Sequence, residues 1–139
     1  MKTVWTLLFL VITVSAQTWV LIGHPDTEIR EMSADEIRDV YLGKRHLAGD
    51  VRLIPLQLGA EDPLRLEFES EILHMSRPAL QAWWVRRHYL GQRPPKVVGS
   101  AEAVLAYVQQ VEGAIGYVPE ALVGDANVTR LYEGGEIYP

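Results

Sequence analysis

Apolar residues fall into short runs and helix-spaced stripes that alternate along the chain. Thr18–Gly23 (TWVLIG) is a compact apolar run closed by His24-Pro25-Asp26, which predicts a buried strand. Ser33-Ala34-Asp35-Glu36 has the form of a capping box, with Ser33 at the N-cap and Glu36 three residues on. The helix it opens would bury Ile37, Val40 and Tyr41 and end at Leu42-Gly43, where glycine accepts the left-handed conformation. Lys44 and Arg45 then stand beside the negative helix end. Ala48-Gly49-Asp50 predicts a turn, and Val51–Leu58 (VRLIPLQL) a second strand, in which Pro55 implies an edge position or a local bend.

Asp62 at an N-cap and Pro63 in the first turn open the next helix, with Leu64, Phe68, Ile72 and Leu73 as its apolar stripe. Ser76 caps another, with Leu80, Trp83, Trp84 and Tyr89 along it, and Leu90-Gly91 before Pro94-Pro95 ends it. Lys96–Val98 is a short strand candidate. Ser100 caps a helix reaching Val111 with Val104, Leu105 and Val108 inward, and after the Glu112-Gly113 turn Ala114–Val118 (AIGYV) reads as a strand. Val128–Leu131 predicts one more short strand before a Gly-rich end. Strands alternating with helices predict an α/β sandwich on a mostly parallel sheet, whose ligands sit at the carboxyl ends of strands. That directs attention to the strand–turn–helix around Leu56–Leu66.

The first apolar run, Val4–Val14, lies behind Lys2 and stops at Val14-Ser15-Ala16, the layout of a secretory signal peptide over residues 1–16. A spanning helix needs about 20 apolar residues, more than this run offers. The expected remainder is one domain, 17–139, periplasmic or secreted, with no membrane span after cleavage. The chain carries 13 basic and 18 acidic residues, net −5. Without Lys2 the counts become 12 and 18, net −6. This acidity argues against a nucleic-acid binder. With no cysteine there is no disulfide, thiolate metal site or cysteine nucleophile.

Candidate chemistry is sparse. Between Leu58 and Arg65 a strand passes into a helix, and free N–H groups at a helix start attract anions, with Arg65 as an added donor. Glu61 and Asp62 put negative charge in the same place, and Asp62 has its own capping task. His24, His46, His74 and His88 show no metal-ligand spacing, and Glu67, Glu69 and Glu71 read as a solvated helix face. No nucleophile elbow or phosphate loop occurs, so no enzyme, catalytic residue, metal or cofactor is expected. Trp83-Trp84 with Arg86-Arg87 is an aromatic–basic cluster of the kind found at interface centres.

The order Tyr41-Leu42-Gly43-Lys44-Arg45, Ile54-Pro55-Leu56, Pro63-Leu64-Arg65 with Phe68, Ala82-Trp83-Trp84, Gly91–Pro95 and Glu112–Val118 resembles one lobe of the phosphate-binding proteins of ABC transporters. It is similar in particular to small single-lobe secreted members, over about Val20–Leu131. The resemblance implies a three-layer type II periplasmic-binding-protein-like lobe with helices on both faces of the sheet. It implies a solute-binding-like protein that takes inorganic phosphate or another oxyanion at a helix start, through Asp62, Leu64 and Arg65. In the family a Ser-Gly-Thr-type turn holds phosphate. Here Glu61-Asp62-Pro63-Leu64-Arg65 stands in its place, without a hydroxyl and with one N–H fewer at Pro63. The alternative is a one-lobe interaction module that has lost the ligand and meets an envelope protein or a second copy through Trp83, Trp84, Arg86 and Arg87.

Overall fold

The computed structural model describes residues 3–10 and 17–137. The end of the first apolar run and the expected cut after Ala16 lie outside the described residues. Among the described residues thirteen elements follow one another: β1 (Gln17–Gly23), α1 (Ala34–Tyr41), β2 (Leu47–Ala48), β3 (Val51–Arg52), β4 (Ile54–Gln57), α2 (Pro63–Phe68), a π-helical turn (Glu69–Leu73), α3 (Arg77–His88), β5 (Lys96–Val97), α4 (Ala101–Gln110), β6 (Ala114–Pro119), α5 (Glu120–Val123) and β7 (Thr129–Ile137). No helix among the described residues is long and apolar enough to cross a membrane.

The main sheet has the order β5-β4-β6-β1-β7, and β2–β3 is a separate hairpin at Gly49. The three-layer α/β arrangement stands, but the sheet is mixed rather than mostly parallel. β4 runs parallel to β5 and β6, whereas β1 is antiparallel to both β6 and β7. The reason is β1: it enters from the opposite end and supplies the central partner of β6. Pro55 is tolerated in an internal strand because only β6 is paired at that level; β5 joins one residue later, at Leu56.

Alternation along β6 sends its side chains to two layers. Gly116 faces α4, close enough that an added Cβ would meet Val104 at 2.5 Å. Tyr117 faces α1 and α2, stacked on Phe68 at 4.2 Å and 6.1 Å from Tyr41. Trp19 of β1 joins this second layer edge-on to Phe68, so the core on that side is largely aromatic. Burial pushes the hydroxyl pKa of both Tyr41 and Tyr117 well above the ordinary tyrosine value.

Both tyrosines serve β4. The Tyr41 hydroxyl donates to the Leu56 carbonyl at 2.8 Å, and the Leu58 N–H donates to the Tyr117 hydroxyl at 3.1 Å. The expected caps are all present: Ser33, Asp62, Ser76 and Ser100 each accept a backbone N–H from the first turn. The tail departs from expectation. β7 is nine residues long and pairs with β1 to Gln17, running through the glycines that read as a chain end.

Candidate functional site

β4 delivers the chain to the turn Gly59–Glu61, and Asp62 starts α2. The turn is closed by the Asp62 N–H on the Gly59 carbonyl at 3.0 Å, while the Leu64 N–H goes to the Asp62 carboxylate at 2.9 Å. With Leu58 held by Tyr117 and no N–H on Pro63, the donors of Leu58, Asp62 and Leu64 are spent inside the fold. Asp62→Ala is expected to cost about 1 kcal/mol, a typical N-cap value. Denaturant unfolding checks this, and an unchanged midpoint would show the cap to be idle.

Arg65 is committed as well. Its Nε donates to Glu69 Oε1 at 2.8 Å and its Nη1 to the Leu58 carbonyl at 2.9 Å. Arg77, at the start of α3, donates from Nε to the other Glu69 oxygen at 2.7 Å and from Nη2 to the Ala60 carbonyl. The Glu69 side chain is 7% exposed, that of Arg65 13% and that of Arg77 34%. One buried carboxylate thus sits between two guanidinium groups, directly behind the turn where an anion was expected.

The expectation that Glu67, Glu69 and Glu71 form a solvated face is corrected by this geometry. The π-helical turn, closed by His74 N–H on the Glu69 carbonyl at 2.9 Å, widens the helix there. Glu69 is turned inward, and Glu71 accepts the Trp19 indole N–H at 3.0 Å and the Gly135 N–H at 3.0 Å. Sequence reasoning missed Glu69. The available signal was its spacing: Arg65 lies four residues before it, the separation at which helical side chains meet.

A groove of about 600 Å³ opens where β4 and β5 end, at Gln57 and Val97, between the turn and α3. Arg65 and Arg77 lie at one side and Trp84, Val85 and Tyr89 at the other. Of α3 only Leu80 is buried, while Val85 is 59% and Tyr89 85% exposed.

The four interface candidates on α3 divide into two kinds. Trp83 donates its indole N–H to the Leu42 carbonyl at 3.0 Å, and Arg87 lies over its ring at 4.1 Å while bonding Gln92 at 2.6 Å. Trp83 thus holds α3 to the body, while Arg87 bonds within α3 and to the linker that follows it. Trp84 is half-buried against Gly43 and lines the groove, and Arg86 is exposed. Lys44, over Trp83 at 5.4 Å, adds a second cation to that ring.

No family model matches this chain, and no curated relative does. Solved structures do. One, assigned as a phosphate ABC transporter substrate-binding protein with bound phosphate from Clostridium perfringens, is 18% identical with a TM-score of 0.69 over 84% of this chain and 45% of its own. PstS from Borrelia burgdorferi is 12% identical with a TM-score of 0.68, over 90% and 50%. An ABC-type phosphate transport receptor from Vibrio cholerae is 13% identical with a TM-score of 0.65, over 83% and 45%. The chain therefore spans about half the length of the structures it matches, as a single lobe would. At these identities the likeness is one of fold, and it agrees with the resemblance read from the residues.

Proposed function

We propose that this chain, built on the fold of a phosphate-binding protein's lobe, is a non-enzymatic interaction lobe of the periplasm or cell surface rather than a high-affinity oxyanion carrier. The observation that carries this reading is the Glu69 carboxylate between Arg65 and Arg77. The two guanidinium groups suited to an oxyanion already hold a carboxylate of the chain itself. An incoming phosphate competes with a tethered ligand whose effective concentration is high. Asp62 adds a like charge at the turn, and one lobe buries less of any ligand than a closed cleft does.

The open α3 face is what remains for a partner. Trp84, Val85 and Tyr89 on the groove, with Arg86 exposed on the same helix, have the aromatic, arginine and apolar make-up of an interface centre. The partner is an envelope protein or a second copy. The net charge of −5 disfavours nucleic acid. The apolar run Val4–Val14, read as a signal peptide, supports the location, as do the phosphate ABC transporter substrate-binding protein and the phosphate transport receptor among the comparison structures. A photo-crosslinking residue at Val85 is expected to give a discrete adduct in the envelope, suppressed by Tyr89→Glu, with none from Gln109 on α4. Equal labelling from both positions would overturn the interaction reading.

The likeness to phosphate-binding proteins favours a second reading, phosphate or another oxyanion on Asp62, Leu64 and Arg65. It requires Glu69 to swing away from both arginines when the anion enters.

A further inference from the structure

We propose that a second groove, at the amino ends of β4 and β5, binds an acidic, extended polypeptide segment. The groove measures about 680 Å³ and lies between the β2–β3 hairpin side and the linker after α3. Arg45 and Arg52 stand on the hairpin side, and Arg93 and Lys96 on the linker side. Trp84 and Pro94 are shared with the groove at the other end of the strands. Among the described residues no Asp or Glu lines it.

This positive charge runs against the composition of the whole. The chain is net −5, yet Ser76–Ser100 contains five Arg or Lys and no Asp or Glu. Of the groove's cations, Arg45 is bridged to Glu36 at 3.0 Å, whereas Arg52, Arg93 and Lys96 have no carboxylate partner among the described residues. Arg93 instead bonds His88 Nδ1 at 3.0 Å and the Gln92 carbonyl at 3.2 Å, and Lys96 lies 5.5 Å from the Tyr107 ring.

The arrangement selects the ligand. A small anion needs a few convergent donors, and these cations are distributed along two walls. A chain with carboxylates at intervals meets them one at a time, and its apolar side chains lie on Trp84 and the proline rings. Charge complementarity of this kind sets specificity and association rate. Polyanionic nucleic acid would gain the same cations but meet the net negative field of the rest of the protein. The inference goes beyond the reading of the Glu69 site. It concerns the opposite end of β4 and holds whether or not phosphate binds there.

The test is fluorescence anisotropy of a short labelled peptide in which Glu and Leu alternate, titrated with the full chain at low and at physiological salt. Saturable one-to-one binding that weakens with salt is expected, with none for the matching Gln–Leu peptide. The double change Arg52→Glu and Arg93→Glu should weaken binding by about tenfold or more, while Arg130→Glu, away from the groove, leaves it unchanged. Circular dichroism of each variant separates lost binding from lost fold. Gln81→Glu, which puts a negative charge on the wall of the other groove, should leave the peptide bound, and weakened binding there would put the peptide in that groove and overturn the inference. So would equal binding of the Gln peptide, indifference to charge reversal, or tighter binding of anionic vesicles or a single-stranded oligonucleotide.

Discussion

Glu69→Ala is expected to cost roughly 3–5 kcal/mol of stability, the range for removing one partner of a buried ion pair. Arg77 is a third exposed and can turn to water, but Arg65 lies beneath the turn with 13% exposure and would keep an unpaired charge. Glu69→Gln keeps an acceptor and is expected to lose less. Chemical denaturation gives the difference directly. The same variant carries a sharper expectation. Emptying the carboxylate position leaves two guanidinium groups around a vacant oxyanion-sized seat, so phosphate or sulfate should raise the Tm of Glu69→Ala and leave wild type unmoved. A loss below about 1 kcal/mol, well under the range for a buried pair, with no anion rescue would mean that Glu69 is not the internal ligand of this site.

Gly134→Ala is expected to destabilise by about 1–3 kcal/mol through overpacking. A Cβ at that position would stand 1.8 Å from the Trp19 indole, which lies across β7 there. Trp19 is fully buried, and its indole N–H, on the edge that the Cβ would meet, is held by Glu71, so it cannot yield. The neighbouring Gly135→Ala meets only the Glu71 carboxylate, at 3.3 Å, and should cost distinctly less. Thermal unfolding of the two variants decides the matter, and equal losses would contradict the packing argument.

Gly134 also explains what the sequence concealed. A glycine pair near a chain end reads as the end of structure, because nothing local says that an indole over a hundred residues earlier needs the space. The paired strand therefore extends well beyond Val128–Leu131. The capped helices were legible because each signal is local: a Ser or Asp, a short spacing, an apolar stripe. The antiparallel placement of β1 was not, since strand direction is settled by which end of the sheet the chain enters.

The site follows the same division. The turn at Asp62–Arg65 was visible, and so was the conflict between its negative charges and an anion. What Arg65 does was not, because Glu69 and Arg77 come together only through the π-helical turn and the start of α3. The α3 cluster was visible as a string, whereas the division between Trp83 and Trp84, which pack on Leu42 and Gly43, and Arg86, which is exposed, needed the helix docked on the body.

The most direct test of the self-liganded site is calorimetric titration of the wild-type protein with inorganic phosphate at low and physiological salt, beside Arg65→Ala. The expected result is no saturable heat at millimolar phosphate in either protein. Saturable one-to-one heat in wild type that vanishes in Arg65→Ala would contradict the account and make Arg65 a phosphate ligand.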